Sequence, residues 1–510
     1  MLKRSRALAS VAMAAVLAGV AGPVLAEDLR DALALAYQTN PTLLAQRANQ
    51  RALDETVVQA RAGLRPTLSA NAGVDYTQTR TPRVTTSTGM DLDGDGVIDT
   101  VTTGGSNESD EVSAGLSLSQ TLYSAGRVGH GITAAEANIL GGRENLRDIE
   151  QQVLATVIQA YADVLRDIEI LRIRQANQTV LRRQLDESNA RFEVGEITRT
   201  DVAQSEARLA QTEADLANAQ AQLSVSRAAY AAVVGQSPGT LEALPTLPGL
   251  PSGFEQAMDV ALLDNPGLRA AGYALQSAEA RVAQARAEYL PSARLTASYG
   301  GTGTLDDPDL ADRTAFRAGA SVSIPLFTGG LNRSRVAQAL EQANAAQIGV
   351  EGERRSVLQA VSSAYAQVVS ARSTLSAGQE AVRAASVAAE GVRQEAQVGL
   401  RTTLDVLNQE LELRNAEVTL AIARRNEYVA QAQLLAAMGR LEGPDLVPVD
   451  AYDPAANYNR VRNRGALPWD GLLEAIDRTA APPVVPAADA PDAPIDAQLK
   501  SDVIRTAPGA

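Results

Sequence analysis

Two periodicities run along the chain, and each occurs twice. Val112, Ala114, Leu116 and Leu118 alternate with Ser113, Gly115, Ser117 and Ser119, the period of two that marks a half-buried β-strand. An earlier run sets Leu68, Ala70, Ala72, Val74 and Tyr76 against Ser69, Asn71, Gly73, Asp75 and Thr77. The same pattern returns in Leu295, Ala297 and Tyr299 and in Phe316, Ala318, Ala320, Val322 and Ile324. After the strands the spacing changes to three or four. Leu146, Ile149, Val153, Val157, Ala160, Val164, Ile168 and Leu171 form a coiled-coil-like stripe on a helix predicted from Arg127 to about Ala190. At 1.5 Å per residue such a helix is about 95 Å long, far beyond a globular one.

The repetition is a duplication. An offset of 318 − 114 = 204 carries Leu122 onto Leu326, Tyr161 onto Tyr365, Val194-Gly195 onto Val398-Gly399, Asp201 onto Asp405 and Gly235 onto Gly439. An offset of 265 − 40 = 225 carries Asn40-Pro41 onto Asn265-Pro266 and Pro66 onto Pro291. The two offsets differ by 21 residues, which fall inside the hairpins, so the first hairpin loop, 78–110, is expected to be the longer. The halves are 27–235 and 254–439, joined by a Pro-rich linker at 236–253 and followed by 440–510.

Each half then reads as a helix begun by Asn-Pro, a strand hairpin, a long helix bent at Gly141-Gly142 in the first copy, a tight polar turn and a returning helix. The returning helix, 200–234, covers only about 50 Å. The segment 41–64, about 36 Å, can stack end to end on it and fill the difference. The breaks in that stack, the linker and the chain ends would form a belt part-way along a cylinder. The class is α+β. Each strand has about the 9–11 residues that a tilted strand needs to cross a bilayer. Membrane barrels need about eight strands at least, so four strands per chain imply a barrel shared between copies.

At the start, Lys3, Arg4 and Arg6 precede an apolar run from Ala7 to Val20, and Val24-Leu25-Ala26 offers a cleavage site, so 1–26 reads as a signal peptide. The remainder has no comparable apolar run, and any membrane role must come from strands. Charged residues are 21% and aromatics 3% of 510 residues, so close packing of Ala-rich helices replaces a core of large side chains. Without cysteine there is neither a disulfide framework nor a lipidated N-terminal cysteine. A formal charge of −14 argues against nucleic acid as a partner. The single histidine, His130, sits at a helix start and reads as an ordinary packed side chain. With no carboxylate pair in a catalytic setting, nothing supports an enzyme.

One loop carries candidate metal chemistry. Asp91, Asp93, Asp95 and Asp99 stand at positions 1, 3, 5 and 9 of a calcium-loop pattern, with Gly96 at the turn position and Thr102 where a bidentate Glu is usual. No other cofactor is implied. The C-terminal segment turns Pro- and Ala-rich from Ala480 and is expected to be disordered beyond Asp453. Trp469, Leu472, Leu473 and Ile476 could make one short docking helix there.

The duplicated halves, the Asn-Pro helix starts, the swivels LYSAGR and LFTGGL, and the tips RFEVGEITRTDV and EAQVGLRTTLDV resemble the TolC family of outer-membrane channel proteins, over about 28–439. The resemblance implies a homotrimer with a twelve-stranded barrel among outer-membrane lipids and an α-helical tunnel across the periplasm. It also implies a periplasmic adaptor and an inner-membrane ABC or proton-driven transporter as partners. Val398, Gly399 and Leu400 keep the family's adaptor-docking tip, whereas Val194, Gly195 and Glu196 depart from it. By the same resemblance, Arg401 links to Thr200 and Asp201 across the repeats to hold the tunnel closed, and Asp405 rings the constriction. Asn408 replaces a second acidic ring and Ala396 a gate tyrosine, so weaker cation block is expected. A trimeric coiled-coil adhesin or stalk is the alternative, although it would not need two bilayer-length hairpins in tandem.

Overall fold

The computed structural model describes residues 27–87, 89–90, 96, 100–311, 313–446 and 451–487. The signal segment 1–26, the acids Asp91, Asp93, Asp95 and Asp99, and the tail 488–510 lie outside the described residues. In chain order the elements are α1 (Leu29–Thr39), α2 (Pro41–Arg61), β1 (Thr67–Ser87), β2 (Thr100–Tyr123), α3 (Arg127–Glu193), α4 (Arg199–Val234), α5 (Phe254–Asp264) and α6 (Pro266–Ala287). They continue with β3 (Ser292–Gly303), β4 (Thr314–Ser323), α7 (Leu331–Gln397), α8 (Thr403–Ala437), α9 (Gly443–Leu446), α10 (Pro454–Val461) and α11 (Asp470–Asp477).

The strands form one antiparallel sheet in the order β1-β2-β3-β4. Its register sets like against like: Leu68 opposes Leu118, Ala70 opposes Leu116, Leu116 opposes Tyr299 and Tyr299 opposes Phe316. One face of the sheet is therefore apolar across all four strands, and the other carries Ser69, Ser117, Ser298 and Arg317. The apolar face is bare, with Leu68, Val74, Tyr76, Phe316 and Val322 all exposed.

The first hairpin departs from expectation. Most of 78–110 is not loop but strand, with β1 and β2 paired from Thr67↔Ser119 out to Ser87↔Thr100. Both faces of this extension are polar, so no alternation marked it, but Thr79, Thr81, Val84, Thr85 and Thr86 favour extended backbone. The register slips between Thr81 and Val84, around Pro82, which has no N–H to give the ladder. Thr102, at the distal ligand position of the calcium pattern, instead meets Thr85 across the hairpin, hydroxyl to hydroxyl at 3.0 Å.

The helices continue the strand order. Near the sheet, α2 packs on α3, α3 on α6 and α6 on α7, while further down α4 flanks α3, and α8 lies between α3 and α7. The short and returning helices stack end to end. Asn40 accepts from the N–H groups of Thr42 and Leu43, capping α2, while its Nδ2 donates to the Val233 carbonyl at 3.0 Å. Asn265 repeats this, capping α6 and donating to Ala437 at 3.0 Å. One side chain thus caps one helix and receives the carbonyl end of the next.

Gly141-Gly142 does not end or divide α3, which is one helix of 67 residues. A Cβ on Gly142 would stand 2.4 Å from Leu53 Cδ2, so this glycine lets α2 approach. The core lies at the belt, where Leu29, Leu33, Leu154, Ile158, Tyr161, Tyr230 and Val234 are buried together. Arg47 is held there between the rings of Tyr37 and Tyr452, 4.4 and 4.8 Å from their centroids.

From Asp453 to Ala487 the C-terminal segment is ordered, contrary to expectation. Composition concealed its anchors, which are specific polar contacts. Asn457 donates to Asp54 at 2.7 Å, Arg464 pairs with Glu55 at 2.8 Å and Arg65 with Asp470 at 2.9 Å. Asp477 is fully buried and accepts from Ser124 N and Oγ at 2.5 and 2.8 Å.

Candidate functional site

Two ends of the molecule carry the chemistry. At the sheet end each hairpin passes into a long helix through a left-handed swivel. In the second repeat Gly329 and Gly330 have φ of 60° and 87°. In the first, Ala125 and Gly126 have 54° and 81°. A left-handed alanine is strained, and the buried carboxylate of Asp477 bonds to the residue beside it. His130, in the first turn of α3, is half-buried beside this segment, and burial pushes its imidazole below the usual histidine range.

At the far end both helix pairs reverse through the same turn. Gly195 and Gly399 each have φ 78°, the left-handed conformation that ends a helix without steric cost. Val194, Gly195 and Glu196 and, in the second tip, Val398, Gly399 and Leu400 all point into solvent, with Val194 72% and Leu400 75% exposed. Thr198 and Thr402 start the returning helices. Asp201 accepts from Thr198 N at 2.9 Å and Oγ1 at 2.8 Å, and Asp405 accepts from Thr402 N at 3.0 Å and Oγ1 at 2.9 Å. Those donors hold both carboxyls below the usual aspartate range.

The expected latch is not formed within the chain. Arg401 donates to Glu395 of its own turn at 2.7 Å, which raises its pKa, and Asp201 is spent on its cap. Thr200 lies exposed in the first turn of α4. The described cross-repeat link near the tips is instead Arg208 Nη2 donating to Asn408 Oδ1 at 3.0 Å. Higher up, Arg425 of α8 pairs with Asp163 of α3 at 2.8 Å. No feature of the sequence marks those partners, which stand 262 residues apart.

Glu410 was legible in principle, because it interrupts the buried stripe Val406, Leu407, Leu413. It is 3% exposed and is paired with Arg393 and Arg414. No group of three or more acids, histidines or cysteines able to hold a metal occurs among the described residues.

The family model of the outer membrane efflux protein matches residues 32–236 and 257–440, both halves of the duplication. The chain belongs to that family. It is 34% identical over 449 residues to the outer membrane efflux protein BepC of Brucella suis, covering 88% of this chain and 92% of the relative. To the outer membrane protein TolC of Vibrio cholerae it is 28% identical, over 86% of this chain and 97% of that one. The crystallised open state of the Neisseria gonorrhoeae MtrE outer membrane channel superposes with a TM-score of 0.67 at 26% identity, over 81% of this chain and 89% of that one. Membership of the efflux family places the chain in the outer membrane as a transport channel, sets aside the adhesin, and makes it no enzyme. No described helix is long and apolar enough to cross a membrane.

Proposed function

We propose that three copies close a twelve-stranded barrel and form an export duct whose helical tunnel crosses the periplasm. The observation that carries this is a sheet with one apolar face, one polar face and two edges, β1 and β4, that find no partner within the described chain. An open edge in lipid leaves backbone groups unpaired, so the edges must meet in another copy. Two copies would give eight strands, whose interior side chains fill, whereas three leave a lumen. The β1 edge continues into α2 and α4 and the β4 edge into α7, so closing the barrel also closes the tunnel.

The tips Val194-Gly195-Glu196 and Val398-Gly399-Leu400 then dock a periplasmic adaptor that couples the duct to an inner-membrane ABC or proton-driven transporter. Exposed apolar side chains on tight, capped turns support that role. The gate lies just inside the tips, with Asp405 near the constriction and Arg208–Asn408 as the contact between repeats. Native mass measurement together with conductance in planar bilayers tests the assembly. Particles of three chains that conduct are expected; monomers, or trimers that never conduct, would sink it.

A further inference from the structure

We propose that α11 is an interfacial helix, lying in the periplasmic leaflet of the outer membrane with Trp469, Leu472 and Ile476 among the acyl chains at the foot of the barrel. The proposal rests on the barrel reading above.

Position is the first argument. The helix crosses the junction where bilayer-length strands give way to periplasmic helices. At one end Asp470 pairs with Arg65, two residues before β1, and at the other Asp477 caps the swivel after β2. It lies on the outer side of the cylinder. The register shift between Thr121 and Tyr123 brings Tyr123 opposite Ala293, on the apolar face shared with Leu295 and Ala297. From there its hydroxyl donates to the Thr479 carbonyl just past α11, at 2.9 Å.

The second argument is how the helix divides its faces. Leu473 and Asp477, one turn apart, are buried inward. Asp470 and Glu474 share one flank and pair with Arg65, which has the parity of Thr67 and Ser69 on the polar face of β1, and with Arg61, the last residue of α2. Trp469, Leu472 and Ile476 fall on the opposite flank, which therefore faces the bilayer, and they are 46%, 65% and 43% exposed. The two acids of that flank are turned to arginines, and Trp469, Leu472 and Ile476 away from them. Leu68 and Val322, near the ends of β1 and β4 that adjoin the helices, are bare on the apolar face of the sheet as well. A helix with one strongly apolar side and tryptophan at its edge suits the lipid–water interface. Among the described residues the second repeat has no such helix. Leu326 and Phe327 at its swivel are 93% and 91% exposed, so a neighbouring copy is the rival occupant.

Trp469 is the only tryptophan in the chain, so intrinsic fluorescence reads this helix alone. The full-length protein is placed in vesicles of phosphatidylcholine brominated near the headgroup end of the acyl chain. Conductance of the same vesicles verifies insertion. Loss of most of the Trp469 emission relative to unbrominated vesicles, with little quenching by aqueous acrylamide, is expected. Acrylamide quenching without bromolipid quenching would put the helix in water and overturn the proposal. Protection from both quenchers that is lost in Phe327→Ser would assign the face to a neighbouring copy and overturn it equally. Vesicles without conductance would remove the barrel reading and this inference together.

Discussion

The helices α3 and α7 occupy the same place in the duplicated unit and have the same length, 67 residues, yet their surroundings differ. The first is walled in by α2, α4, α6 and α8, and about twice as many of its residues are buried. The second packs on α5, α6 and α8 and leaves Leu331, Leu340, Ile348 and Val387 in solvent. One helix is therefore interior to the protomer and the other is its border. Duplication supplied two equivalent rods; position in the ring gave them unequal duties. Gly142 of α3 sits against Leu53 and Gln50, and its counterpart on α7 is Ala346, which is only half-buried.

The sharpest way to break this comparison is to fill that position in both repeats. Gly142→Leu should destabilise the protomer by about 2 kcal/mol, because the side chains of Leu53 and Gln50 on α2 must move to admit it. Ala346→Leu should stay within about 0.5 kcal/mol in monomeric, detergent-solubilised protein. Equal losses in denaturant titrations of the two variants would mean that α3 is no more enclosed than α7.

A second contrast lies near the tips. In repeat 1, α3 and α4 meet through Ser188 and Ser205, whose hydroxyls are 3.2 Å apart, and through Asn177 donating to Thr212 at 3.4 Å. In repeat 2 the same interface holds Glu410 among Arg393 and Arg414, with Glu417 on the far side of Arg414. Removing a buried acid strands the guanidinium groups facing it, although Arg393 is partly in water, which reduces the loss. Glu410→Ala should cost about 2 kcal/mol and speed hydrogen exchange along the lower part of α8. Its counterpart Glu206 is exposed, and Glu206→Ala should change neither. Identical exchange profiles for the two variants would remove the asymmetry.

The features legible in the sequence were those with a period or a local signature. Alternation gave the four strands, spacing of three and four gave the long helices, Asn-Pro gave both capped starts, and the glycines gave the swivels and tips. The extension of the first hairpin escaped because a strand polar on both faces has no alternation to read. Order in the C-terminal segment escaped because it rests on pairs such as Arg65–Asp470 and Ser124–Asp477, hundreds of residues apart in the chain. The latch is not formed within the chain for a local reason. An acid three residues after a threonine that starts a helix is claimed first by the backbone, and Asp201 is held there.

That local claim bears on Asp405, where the cap is observed and the place near the constriction is proposed above, and the two roles can be separated. As a cap it needs an acceptor at Oδ2, and as part of a ring near the constriction it needs a charge. Its folded pKa is lowered by Thr402, so the cap's stabilisation is complete above the ordinary aspartate value and is lost as pH falls through the lowered one. At neutral pH both roles are intact. Asp405→Asn keeps an acceptor without charge, whereas Asp405→Ala removes both. Cation block measured in single-channel recordings should fall equally in the two variants, while amide exchange in the first turn of α8 should speed up only in the alanine variant. Block that survives in Asp405→Asn but not in Asp405→Ala would show that the residue acts on the pore only by holding its helix in place.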